Sequence, residues 1–170
     1  MSDTVATRSL RAMPILHQTI DKRVAELEKL HHERLQCRRG CHTCCVDDLS
    51  VHEVEAAHIE QATGDRLSGL NPAPPGRCAF LDSEGACRIY EQRPYVCRTQ
   101  GLPLRWLEEG IEYRDICPLN APGSPIEELA ADACWTVGAV ESRLQLLQSL
   151  REPGQRVALR RLFARLSANQ

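Results

Sequence analysis

The chain has 170 residues, is 42% hydrophobic and carries a formal charge of -2, which suits one domain over residues 1–170 and weighs against nucleic acid as a general partner. No run approaches the roughly 20 apolar residues that span a bilayer, and Arg8, Arg11, His17 and Gln18 interrupt the first 20 residues. The expectation is a soluble, cytoplasmic protein with no membrane partner, in which nine cysteines read as metal ligands or reactive thiols before disulfides.

Residues 1 to 13 read as a frayed terminus. After Pro14, the apolar positions Leu16, Ile20, Val24, Leu27 and Leu30 recur at helical steps, predicting an amphipathic helix over about 14–36. His31 and His32 in its last turn read as solvated or packed side chains. Ser50 and Glu53 form a capping-box signature for a second helix over about 51–63, stopped by Gly64. On it His52 and His58 stand six apart, on different faces, and read as structural or exposed. A Pro/Gly loop over 67–77 leads to a hairpin turning at Ser83 to Gly85, then to one helical turn carrying Cys97.

Alternation at 104–107 and 111–114 about Gly110 predicts a second hairpin, ending at Cys117-Pro118. Ser124-Pro125-Ile126-Glu127 reads as the capped start of a third helix, carried to about 150 by Leu129, Ala133, Val137, Val140, Leu144, Leu147 and Leu150. Pro153-Gly154 breaks it. Val157, Leu159, Leu162, Phe163 and Leu166 mark a last amphipathic helix against an Arg face of Arg156, Arg160, Arg161 and Arg165. The fold class expected is mainly α: a small, irregular α+β, metal-centred domain with one or two short β-hairpins. Its cysteine core covers about 37–100, between helices at about 14–36 and 124–167.

Cys37, Cys41, Cys44 and Cys45 place four thiols in nine residues, answered by Cys78, Cys87 and Cys97 in short loops. A C-x2-C pair such as Cys41 and Cys44 chelates one ion because the turn between them points both sulfurs inward. The C-x3-C-x2-C spacing also suits three irons of a four-iron cluster, as in radical S-adenosylmethionine enzymes. Those need a barrel of βα units that this chain lacks. Adjacent thiols diverge, so Cys44 and Cys45 divide between two ions or between an ion and the core. Cys134 reads as a core residue, while Cys117-Pro118 resembles the end of a cluster-binding segment and joins the ligand candidates. Arg38, Arg39, Arg77, Arg88 and Arg98 lie within two positions of a candidate thiol, where positive charge favours the thiolate.

The run C-x3-C-x2-C-C, Cys78-x-Phe80-Leu81, Gly85-x-Cys87-x-Ile89-Tyr90-Glu91-x-Arg93-Pro94-x-x-Cys97-Arg98 resembles the YkgJ-type cysteine-cluster proteins, a zinc- or iron-chelating family. The resemblance covers about 37–100 and departs at Ala79, where the family usually has Pro. It implies a metal held by these cysteines. The full candidate set is Cys37, Cys41, Cys44, Cys45, Cys78, Cys87, Cys97 and Cys117, with Arg93 and Arg98 as cofactor contacts and Phe80 and Tyr90 as a wall against water. Flanking arginines and a surplus of thiols favour an iron–sulfur cluster of the [4Fe-4S] type, or iron, with zinc as the alternative. Three functions follow: electron or metal transfer to a partner, a zinc-stapled module that binds a protein through its Arg face, or an enzyme acting at an open iron near Cys45 or His42. No Ser-His-Asp set, phosphate loop or carboxylate pair supports ordinary hydrolysis.

Overall fold

Pro14 does not start the first helix; it lies inside it. In the computed structural model, which describes residues 5–150 and 156–168, α1 runs unbroken over Val5–Leu30. The helix lacks only the hydrogen bond that a proline cannot donate, while Met13 and Leu16, buried on either side, hold it against the core. Leu16, Ile20, Val24 and Leu27 are buried as their spacing predicts, but Leu30 is exposed and the helix ends there, six residues short of Gln36. Part of the segment expected to fray is therefore helix, whereas residues 1–4 lie outside the described residues.

Strand β1 (Ser50–His52) precedes helix α2 (Glu53–Thr63), and this shifts the expected cap by two residues. Ser50 is committed to pairing with Ala158 of β5 (Arg156–Ala158), so His52 becomes the N-cap and its N–H donates to Glu55 Oε2 at 3.1 Å. Helix α2 separates two apolar clusters. Ala56 and Ile59 join Phe80, Leu81, Ile89, Val157, Leu162, Phe163 and Leu166 on one side, and Val54 joins the buried face of α1, Tyr95, Leu102 and Trp135 on the other.

The segment 78–98 folds as expected, with an antiparallel bridge between Leu81 and Cys87 and a turn closed by Asp82, whose Oδ1 accepts the N–H groups of Glu84 and Ala86. Cys97 then sits in the single-turn helix α3 (Tyr95–Arg98). Strands β2 (Leu104–Glu108) and β3 (Ile111–Asp115) make the second hairpin, turning through Glu109 and Gly110, both at positive φ.

The expected third helix over 124–150 is a correction. Only α4 (Ala139–Ser149) is α-helical; before it come two short 3-10 turns and strand β4 (Trp135–Thr136), which pairs in parallel with β2. Two local causes act. Gly138, at φ 121°, breaks helical continuity, and the buried Arg114 guanidinium captures the carbonyls of Ile126 and Leu129 at 2.6 Å each, removing them from any helical ladder. The break expected at Pro153-Gly154 lies outside the described residues. Helix α5 (Leu159–Ala168) buries Leu159, Leu162, Phe163 and Leu166. Among the described residues the architecture is α+β, with five α-helices and sheets of two and three strands. No helix is long and apolar enough to cross a membrane.

Candidate metal centre

The nine cysteines are free thiols and divide sharply by position. Two successive turns, Arg38–Cys41 and His42–Cys45, are each closed by a 2.9 Å backbone hydrogen bond and present Cys41, Cys44 and Cys45. The Cys78 N–H donates to the Cys45 carbonyl at 2.9 Å, which stitches the first cysteine loop to the second. Cys78 is buried, and Cys45 and Cys87 pack against the same apolar cluster.

Glu55 secures Cys97 from below. This carboxyl is 4% exposed, yet its Oε1 accepts the Tyr95 N–H at 2.9 Å, so α2 holds the first turn of α3. Trp135 Nε1 donates to the Tyr95 hydroxyl at 2.9 Å and fixes the other end of that side chain. Burial pushes the Glu55 carboxyl upward against the pull of the two N–H groups it accepts.

The electrostatics reveal which thiols are neighbours. Burial raises the Cys97 thiol first, and negative charge on Cys78, Cys87 and Cys44 would raise it further. Cys45 donates to Cys44, which lifts Cys45 and lowers Cys44; burial and the charges of Cys78 and Cys97 also lift Cys45. On the other side of Cys44, Cys37 is raised by burial and then by Cys41, Cys117 and Cys44, against an Asn120 hydrogen bond that lowers it. Two neighbouring groups emerge, sharing Cys44: one around Cys37, Cys41 and Cys117, the other around Cys45, Cys78, Cys87 and Cys97. Cys134 stands apart, buried among Arg114, Arg105 and Glu112, as its reading as a core residue anticipates. Among the described residues no three His, Cys, Asp or Glu side chains stand in a ready metal-binding arrangement.

The donor set itself suits a thiophilic metal. Buried thiols that repel one another's charge gain most from a cation between them, and soft sulfur ligands select zinc, iron or an iron–sulfur cluster. The Nε–H of Arg77, beside Cys78, is buried without a hydrogen-bond acceptor, a donor suited to an anionic sulfur set.

Several expected site residues serve other ends. The Arg98 guanidinium is directed away from the thiols: Nε donates to the Arg93 carbonyl at 2.9 Å, Nη2 to the Glu91 carbonyl at 2.7 Å, and Nη1 to Asp21 of α1. Much of the Glu-x-Arg-Pro-x-x-Cys-Arg signature is thus a closed loop braced by its own last arginine. Arg93 lies 3.9 Å over the Tyr90 ring and its charge lowers Cys87, opposing the burial that raises it. Tyr90 is exposed, so it walls nothing, whereas Phe80 is core. His31 Nε2 contacts the Ala133 carbonyl at 2.6 Å and His32 is exposed. The Arg face on α5 is turned inward: Arg160 pairs with Asp47 at 2.5 Å, Arg165 with Glu53 at 3.1 Å, and Arg156 donates to Ser50 Oγ at 3.0 Å.

Two residues at the site escaped the sequence reading. Asn120 is fully buried beside Cys37, and Gly101, at φ +93°, leaves room for that cysteine: a Cβ there would lie 2.5 Å from Cys37 Sγ. Proximity to Cys117 was the only signal for Asn120, and nothing local marked Gly101.

No curated protein and no solved structure matches the chain. Residues 36–118, just under half of it, match the family model described as "CxxCxxCC: Putative zinc- or iron-chelating domain". That segment begins one residue before Cys37, ends one residue after Cys117 and contains every cysteine of the two groups while omitting Cys134, so the chain carries a CxxCxxCC domain over the loops that gather its thiols.

Proposed function

We propose that this is a metal-binding protein in which Cys37, Cys41, Cys44, Cys45, Cys78, Cys87, Cys97 and Cys117 hold an iron–sulfur or iron centre, with zinc as the alternative. The observation that carries the reading is the gathering of eight thiols from separate loops into two adjoining groups, with the ninth excluded. One tetrahedral zinc needs four such ligands, and the excess favours iron. A thiolate-held iron centre supplies one-electron redox chemistry, and the role proposed is electron transfer or metal handling in the cytoplasm, with a protein partner.

The chain's own residues hold the thiols in place, exclude water and tune their charge. Phe80, Ile89 and Phe163 form a dry floor beneath Cys78 and Cys87. The Ile89 N–H lowers Cys87 and the Phe80 N–H lowers Cys78, each against the upward push of burial. Donors of this kind stabilise anionic sulfur and shift a bound centre's potential.

A second reading has one observation behind it. A cavity of about 490 Å³, lined by Gln36, Arg38, Arg39, Gly40, Cys41, His42, Thr43 and Leu119, opens beside the first thiol group. Its size and basic rim suit a small anionic ligand reaching a reactive centre, as an enzyme would require. The interaction-module reading loses the surface on which it relied, since Arg156, Arg160 and Arg165 are bonded within the chain.

Purification without oxygen, with assay of iron, zinc and sulfide, tests the proposal. Iron with sulfide and visible absorption that bleaches on reduction is the expected result. Stoichiometric zinc in a colourless protein reverses the order of metals, and less than about a tenth of an equivalent of either metal refutes binding altogether.

A further inference from the structure

Asn120 connects two cysteines that stand 80 residues apart in the sequence. It belongs to the 3-10 turn Pro118–Asn120, whose backbone is fixed to the first cysteine: the Asn120 N–H donates to the Cys117 carbonyl at 2.8 Å. Its side chain reaches the second. Nδ2 donates to Cys37 Sγ at 3.4 Å and to the Gly101 carbonyl at 2.8 Å, and Oδ1 accepts the Gln36 N–H at 2.7 Å. Every polar atom of this fully buried amide is therefore used, and an amide so enclosed has one orientation available to it. With both amide hydrogens committed, Nδ2 addresses a sulfur on one side and a carbonyl on the other.

The surroundings are shaped to the same end. Gly101 lacks the Cβ that would strike both Cys37 Sγ and Asn120 Nδ2, at 2.5 and 3.1 Å. Cys37 sits at the end of a loop that leaves α1, and Gln36, its neighbour, is bound to the amide as well. The turn after Cys117, the loop after Cys97 and the loop after α1 thus meet on one side chain.

We propose that Cys37 and Cys117 bind the same metal ion, and that Asn120 is the positioning residue that holds the pair together and donates a hydrogen bond to the Cys37 sulfur. The inference rests on the metal-binding reading above and adds to it a membership and a second residue layer. A donor aimed at a ligating sulfur stabilises its negative charge and fixes its direction, and loss of such a partner costs about 10–100-fold in metal affinity. The aspartate variant discriminates the roles: Asn120→Asp nearly preserves shape but replaces the N–H facing sulfur by a charged acceptor.

The test uses the full-length protein purified without oxygen, with bound metal measured by elemental analysis and each cysteine's reactivity toward a maleimide followed by peptide mass spectrometry. In the wild type, Cys37 and Cys117 are expected to be protected together, along with Cys78, Cys87 and Cys97. In Cys37→Ser, Cys117 becomes reactive while Cys78, Cys87 and Cys97 stay protected, and Cys117→Ser exposes Cys37 in the same way. Asn120→Asp and Asn120→Leu weaken protection at both positions by about 10–100-fold; a restored donor in Asn120→Gln recovers part of it. A variant that fails to fold exposes all its cysteines at once, and the wild-type pattern with the reciprocal serine variant then decides the matter. Continued protection of Cys117 in Cys37→Ser, or equal reactivity of Cys117 with and without metal in the wild type, overturns the proposal and leaves metal binding at the other thiols standing. A wild type that holds no metal overturns both.

Discussion

The Arg98 guanidinium, 4% exposed, crosses from α3 to α1 and donates to both Asp21 oxygens at 2.6 and 2.7 Å. Two backbone carbonyls depend on the same cation, whereas Asp21 is 47% exposed and can turn to water. The pair is therefore asymmetric. Removing the buried partner of such a contact costs about 3–5 kcal/mol, and changing the exposed one about 1 kcal/mol or less. Urea melts of Arg98→Leu and Asp21→Asn should show this ordering; equal costs would mean that the carbonyls are satisfied without Arg98.

Acid should find His17 before it finds most of the fold. Its Nδ1 lies 3.2 Å from Arg98 Nη2, a donor, so Nδ1 accepts and the neutral ring carries its proton on Nε2. Burial first, then the charges of Arg98 and His58, lower this histidine from 6.5 to about 3, with Asp21 pulling the other way. Between those values the unfolded chain binds a proton that the folded chain refuses, so stability falls as pH drops from 6.5 toward 3 and is unaffected above. Melting temperatures of wild type and His17→Asn across pH 4 to 7 should diverge in slope, the variant being flatter. Parallel slopes would exclude the histidine as the source.

Gly101 and Gly110 make a matched pair of tests. Both hold positive φ, at +93° and +82°, but a Cβ on Gly110 meets nothing within 4 Å whereas one on Gly101 meets Cys37. Gly110→Ala is expected to cost about 1 kcal/mol of backbone strain and keep its metal. Gly101→Ala should cost more and lose metal, as seen in elemental analysis beside the melt. Equal metal content in the two variants would show that Cys37 tolerates the displacement.

The thiols themselves are unequal. Cys41→Ser and Cys87→Ser each remove a candidate ligand and should lose metal and much of the cooperative melt. Cys134→Ser is expected to keep its metal and to cost about 1–3 kcal/mol for a buried hydroxyl, less if Arg114 Nη1, 3.8 Å from Sγ, moves closer to pair with it. Similar metal loss at Cys134 and Cys41 would redraw the site.

What could be read without coordinates was whatever depends on neighbours in sequence. The apolar stripe of α1, the buried face of α5 and the Gly110 hairpin all rest on short-range periodicity, and they stand as expected. The helix expected over 124–150 failed because its apolar spacing was real but its carbonyls were claimed by Arg114 from another strand. Likewise the cap at Ser50 yielded to a strand partner in β5, and Arg98 was taken for a site residue because its acceptor, Asp21, lies 77 positions away. Asn120 was illegible for the same reason. Its role is defined by three partners, none of which its own neighbourhood announces.

The pairing of β1 with β5 brings together segments about 106 residues apart and places Val157, Leu162 and Phe163 beside Cys78 and Cys87. During synthesis, at about 5–20 residues per second, the cysteine loops leave the ribosome on the order of ten seconds before the segment that covers them. Until then those thiols have no apolar roof. The C-terminal 15 residues thus act as a clasp that closes last, and a chain halted before β5 would leave its sulfur open to oxidation and to whatever metal is at hand.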